Sequence, residues 1–164
     1  MVKLKYKKLQ ALLSIITVVV LFACNSDRIY ESHDKNFKDY RWFNTKILTF
    51  TPEISDTIGE YKIYLALRHV YGFQLENIRV KVTCTSPSAK MEVKDYKMQF
   101  MGPDKNYLGE CAGDICDLEE LIEDHKEFHE AGTYTYTVEH LMPLDYIPNV
   151  MEFGLIIEKC RTDD

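Results

Sequence analysis

Between Glu60 and Arg68, Tyr61, Ile63, Leu65 and Leu67 alternate with Lys62, Tyr64, Ala66 and Arg68. A two-residue period sends successive side chains to opposite faces, so this stretch predicts a half-buried strand. The same pattern predicts strands where Ile78, Val80, Val82 and Cys84 alternate with polar residues, and where Tyr96, Met98 and Phe100 flank Lys97 and Gln99. Tyr134, Tyr136 and Val138 against Thr133, Thr135 and Thr137 are the most regular case. Met151, Phe153, Leu155 and Ile157 mark a final strand to Lys159, and Leu48, Phe50 and Ile54 mark an early one that ends near Pro52. Turns fall at Asp56-Thr57-Ile58-Gly59, Ser86-Pro87-Ser88, Gly102-Pro103-Asp104 and Ala131-Gly132. Residues 105–117 read as a loop. From Asp117 to His129, Leu118, Leu121, Ile122 and Phe128 fall partly at helical spacing, which predicts one helical turn followed by a short strand around Phe128. The fold class is therefore all-β, an antiparallel β-sandwich of about seven strands with one short helical turn, an immunoglobulin-like arrangement being one option.

The N-terminus follows a different pattern. Lys3, Lys5, Lys7 and Lys8 precede a mostly apolar run from Leu9 to Ala23, too short to remain as a membrane-spanning helix. The run closes on Leu21-Phe22-Ala23-Cys24, which resembles a bacterial lipobox, with Phe22 bulkier than usual. The resemblance implies cleavage before Cys24, diacylglycerol on its thiol and acylation (palmitate-type) of the new N-terminus. Residues 1–23 are then a signal peptide, 24–44 a lipidated N-terminus and tether with Ile29 and Tyr30 docking at the fold's edge, and 45–164 the sandwich. Trp42 is expected in the core.

Removing a segment with four lysines and no acid takes the net charge from −6 to about −10 over 141 residues. An acidic body argues against nucleic acid and against a basic lipid-binding patch, so membrane attachment falls to the acyl chains on Cys24. Cys84, Cys111, Cys116 and Cys160 remain, an even number in an oxidising compartment. The favoured pairing is Cys111–Cys116 with Cys84–Cys160, and free buried thiols are the alternative.

Few residues suggest chemistry. Cys-x4-Cys is an unusual zinc spacing, and in His125-Lys126-Glu127-Phe128-His129 the glutamate is misplaced for a zincin. The acids from Asp114 to Asp124 lack a calcium-loop pattern. No nucleophile elbow, P-loop or dinucleotide fingerprint occurs. The expectation is no enzyme, no catalytic residue, no metal and no cofactor, with a hydrolase built on paired carboxylates as the weakest option. Tyr71, Phe73 and Tyr107 lie in expected loops. They are candidate binding aromatics for a glycan or a partner strand, or else caps on the core.

The order of motifs resembles the GldH family of gliding-motility lipoproteins of the Bacteroidetes. The matching positions are the lipobox, Trp42, Tyr61 to Arg68, Asn77, Leu108-Gly109, Gly113-Asp114-Ile115, Gly132 to Glu139 and Gly154 to Lys159. Where the family tends to carry glycine, this chain has Cys111, and Tyr71-Gly72 and Met142-Pro143 replace a Tyr-Pro and a Met-Arg. The resemblance implies a non-catalytic lipoprotein at the outer membrane, expected on its periplasmic face. It also implies partners among the gliding machinery and associated type IX secretion components, and transfers only Cys24 as a functional site. The alternative is a glycan-binding β-sandwich module at the envelope.

Overall fold

A computed structural model describes residues 27–160. Cys24 and the signal segment lie outside the described residues. The strands are β1 (Arg28–Asp34), β2 (Trp42–Phe43), β3 (Leu48–Phe50), β4 (Glu53–Ile54), β5 (Glu60–Val70), β6 (Asn77–Thr85), β7 (Met91–Gln99), β8 (Glu110–Ala112), β9 (Ile115–Glu127), β10 (Gly132–Thr133), β11 (Thr135–His140), β12 (Tyr146–Ile147) and β13 (Val150–Lys159). One sheet has the order β1-β13-β5-β9-β8, a second β3-β11-β6-β7, and β10-β4 and β12-β2 form small two-stranded pairs. Every paired strand is antiparallel.

The alternation seen in sequence becomes the core. Tyr61, Ile63, Leu65 and Leu67 of β5 and Phe153, Leu155 and Ile157 of β13 are buried in one cluster with Ile78, Val80 and Val82 of β6 and Tyr136 and Val138 of β11. Each such side chain contributes roughly 1.5–3 kcal/mol by leaving water. Trp42 is fully buried and packs on Phe153 at 4.7 Å and His140 at 5.4 Å, and its Nε1 donates to the Lys46 carbonyl at 3.0 Å.

Three expectations change. Residues 117–127 form no helical turn but belong to the thirteen-residue strand β9. The partial helical spacing has a physical source: the register of β9 on β5 shifts twice, between Tyr61 and Ile63 and between Ile63 and Tyr64. Each bulge resets which residues face inward. The turn that does occur, a 3-10 segment at Lys38–Tyr40, precedes β2. Residues 105–117 are not simply a loop, because β8 and the start of β9 make a hairpin across Gly113 and Asp114.

The third change concerns the expected tether. β1 pairs with β13 from Arg28↔Glu158 to Asp34↔Phe153, so the sheet begins at residue 28. Tyr30 packs against the core and its hydroxyl accepts from the Thr51 amide at 3.1 Å. β1 is an edge strand with mixed polarity on both faces, which hides its period.

Candidate functional site

At one end of the five-stranded sheet three turns are tied together at the close of β5. The Val70 amide donates to the Asn149 carbonyl at 3.0 Å, and the Tyr71 amide donates to the Asp114 carbonyl at 2.8 Å. Asn149 begins the return into β13, and Asp114 is the tip of the β8–β9 hairpin. Gly72 then takes φ +89° to turn the chain away. Cys111 and Cys116, opposite one another in the hairpin, are joined by a disulfide that fastens the edge strand β8 to β9.

The three candidate aromatics separate here. Tyr71 is 59% exposed and meets Tyr107 edge-on, with ring centroids 5.1 Å apart. Tyr107 is half-buried and its hydroxyl donates to the Phe73 carbonyl at 2.9 Å. Phe73 is fully buried against Phe100 at 4.9 Å, so it is a core residue and leaves the candidate surface. A loop position has no period, and its burial is therefore invisible in sequence. Leu108, Ile115 and Leu144 are also exposed apolar residues around these turns. A shallow cleft of about 560 Å³ opens beside Tyr71, lined by Gly72, Leu75, Leu144, Tyr146 and Asn149.

His69 supports this surface from below. It is fully buried, with its ring centroid 5.1 Å from that of Phe73 and 5.4 Å from that of Tyr107. Its Nδ1 lies 3.1 Å from the Val70 carbonyl while Nε2 has no hydrogen-bond partner. Burial lowers its pKa, against the raising effects of that carbonyl and Asp117. The signal was present in sequence, since His69 continues the inward positions 61, 63, 65 and 67.

The outer face of the same sheet carries charge. Arg28 donates to Glu158 at 2.8 Å, Glu31 at 3.1 Å and Glu119 at 2.7 Å. Arg68 binds Asp117 through two nitrogens at 2.7 and 3.0 Å and Glu152 at 3.1 Å. Between them lies a trough of about 450 Å³, floored by Ala66 and bordered by His33, which lies over Gly154. The Arg28 hydrogen bond holds the Glu31 carboxyl below its usual pKa. These acids are committed to ion pairs.

A second charged cluster ties β7 to β9. The Tyr96 hydroxyl donates to Glu123 at 2.7 Å, and Lys126 bridges Glu92 at 2.5 Å and Glu123 at 3.3 Å. Hydrogen bonds from Lys126 and Lys94 bring the Glu92 carboxyl down to about 2. Nearby, a cleft of about 190 Å³ is lined by Cys84, Phe128, His129 and Tyr134.

The second expected disulfide is absent, because Cys84 and Cys160 are free. Cys84 is buried on the inner side of β6, opposite Tyr136 of β11, whereas Cys160 follows β13 in the other sheet, its amide donating to Glu60 at 2.8 Å. Burial raises the Cys84 pKa and keeps it a thiol. The two candidate histidines also part company. His125 contacts Glu60, and His129 lines the Cys84 cleft. Among the described residues no helix is long and apolar enough to cross a membrane.

Comparison with known proteins agrees on one family. A family model described as GldH lipoprotein matches residues 28–157. The chain is 18% identical over 152 residues to the "Gliding motility lipoprotein GldH homolog" of Christiangramia forsetii, covering 88% of this chain and 92% of that protein. It is 22% identical over 101 residues to the "Gliding motility lipoprotein GldH" of Flavobacterium johnsoniae, covering 62% of each. Among solved structures, TmCBM61 in complex with beta-1,4-galactotriose aligns over 80% of this chain and 82% of that chain, with 11% identity and a TM-score of 0.34. The GH115 glucuronidase BtGH115A aligns over 84% of this chain and 18% of that chain, with 7% identity and a TM-score of 0.43.

Proposed function

This chain belongs to the GldH lipoprotein family, and on that premise we propose that it is a non-catalytic envelope lipoprotein supporting the gliding-motility machinery by protein–protein contact. Acylated Cys24 anchors it to the outer membrane, on the periplasmic face. Its partners are envelope proteins of that machinery and associated type IX secretion components.

The observation that carries the reading is the polarity of the sandwich. Arg28 pairs with Glu158, and Glu158 with Lys62, so the chain enters at the end where β5 begins. Tyr71, Tyr107 and the disulfide-fastened hairpin lie where β5 finishes. Eight residue steps separate Lys62 from Val70, about 27 Å at strand rise. Cys24 is only four steps from Arg28, a reach of at most about 14 Å. A lipid on Cys24 would therefore hold the entry end against the headgroups and present the aromatic end to partners. The exposed Tyr71 ring, packed on half-buried Tyr107 and tied through its amide to the tip of the fastened hairpin, suits a contact surface that loses little conformational entropy on binding.

The test is photocrosslinking from position 71 in living cells, with position 62 as a control and Cys24→Ala as a second strain. Capture of motility or secretion proteins from position 71 alone, lost when Cys24→Ala releases the protein from membranes, is the expected result. Sedimentation of Cys24→Ala with membranes would remove the anchor. A second reading, a glycan-binding module, is favoured by the Tyr71–Tyr107 edge pair beside its cleft. Co-purifying polysaccharide that disappears in a Tyr71→Ala, Tyr107→Ala variant would select it.

A further inference from the structure

Glu60, His125 and Cys160 come from three neighbouring strands. Glu60 opens β5, His125 lies in β9 and Cys160 immediately follows β13. Their donor atoms (a carboxylate oxygen, an imidazole nitrogen and a thiol sulfur) all lie within 4.8 Å of one another. The backbone sets this meeting. The Cys160 amide donates to the Glu60 carbonyl at 2.8 Å, which fixes the first pair. His125 has φ +57°, next to the bulges in the β5–β9 register. A non-glycine residue in that region is uncommon and persists where the surroundings determine it. The outcome is an imidazole held against Glu60, Nδ1 to Oε2 at 2.5 Å.

We propose that Glu60, His125 and Cys160 form a zinc site. One carboxylate, one imidazole and one thiolate are ligands that zinc accepts, and three protein ligands leave the fourth tetrahedral position for water. The thiolate disfavours calcium and magnesium, which take oxygen. Asp124 Oδ2 stands 3.7 Å from His125 Nε2, longer than a hydrogen bond, and a small closure would give the carboxylate–imidazole contact that orients metal-bound histidines. Zinc–ligand bonds of about 2.0–2.3 Å put tetrahedral donors roughly 3.3–3.7 Å apart. The imidazole and carboxylate, now 2.5 Å apart, must therefore open by about 1 Å to admit the ion between them and the thiol. Glu60 and His125 are exposed and Cys160 half-buried, so rotamer adjustment supplies this. On binding, the Cys160 thiol gives its proton to solvent and its sulfur lone pair to the metal. His129 takes no part. The bound ion would join the ends of β13, β5 and β9 beside the point where the chain enters the fold.

The test uses the full-length protein in detergent, reduced and freed of metal, then dialysed against zinc(II) or cobalt(II). About one zinc per chain should survive gel filtration, and the cobalt form should show thiolate-to-metal charge transfer in the near ultraviolet. Cys160→Ser should abolish that band. His125→Ala and Glu60→Gln should each weaken zinc binding at least tenfold, with His129→Ala unchanged. Retention of no zinc, a cobalt spectrum without the thiolate band, or equal uptake of calcium would overturn the proposal. The cobalt spectrum of the unmutated protein decides the matter even where a variant misfolds.

Discussion

Arg28 and Glu119 are hydrogen-bonded at 2.7 Å although two whole strands, β13 and β5, lie between their own. The arginine also holds Glu158 and Glu31, so one side chain spans the sheet from its first edge strand to the fourth. The Arg28 side chain is 24% exposed and that of Glu119 43%. A network of charge-assisted bonds in that setting contributes more than an isolated surface pair. Arg28→Ala should lower stability by about 1–2 kcal/mol in urea unfolding. Amide exchange should accelerate in β1 before it does in β5. Uniform acceleration across the sheet would show that Arg28 does not act as a clasp on the edge.

Gly109 sits at the entry to the β8–β9 hairpin with φ +103°, and a Cβ there would lie 2.3 Å from the Asp117 carbonyl oxygen. The clash is with backbone, and no rotamer relieves it. Gly109→Ala should therefore cost about 3 kcal/mol or more. A thermal melt measures the loss, and an unchanged midpoint would contradict the geometry.

The disulfide in that hairpin closes a loop with a sequence separation of 5. Chain-entropy arithmetic for so short a loop gives about 2 kcal/mol. Reduction, or Cys111→Ser with Cys116→Ser, should lower stability by about that amount. It should also diminish crosslinking from position 71, since β8 would lose its fastening beneath Ile115 and Tyr71. Loss of stability with full crosslinking would separate the bridge from the contact surface.

Two buried histidines weaken the fold in acid, opposed by His125, whose hydrogen bond to Glu60 raises its pKa. Burial lowers the pKa of both His69 and His140. The unfolded chain therefore binds more protons just below the ordinary histidine value of about 6.5, and stability must fall as pH drops through that value. The contribution is complete above about 6.5 and is lost progressively below it, down to the depressed pKa values. Each pH unit in that window costs up to about 1.4 kcal/mol per histidine. Urea midpoints measured from pH 7.5 to pH 5 should decline, and His69→Phe should flatten part of the decline. An unaltered slope in His69→Phe would mean that its imidazole is not the group titrating.

Sequence alone determined the strands whose one face is buried throughout, because a two-residue period is what such burial writes into a chain. Tyr61 to Leu67 and Tyr134 to Val138 are of this kind, and with them come the all-β class, the acidic body and the family. The inward place of His69 was equally legible. Tertiary structure decided what has no period or depends on distant partners. β1 took an edge place because β13 offered it unpaired backbone groups, although its polar faces resemble a tether. β9 replaced a helical turn because bulges against β5 broke its phase. Phe73 went into the core while Tyr71 stayed outside, a choice made by packing on Phe100. Glu60 and His125, 65 residues apart, met only because adjacent strands end together. Periodicity is a local property of burial, whereas contacts between such residues depend on which strands become neighbours.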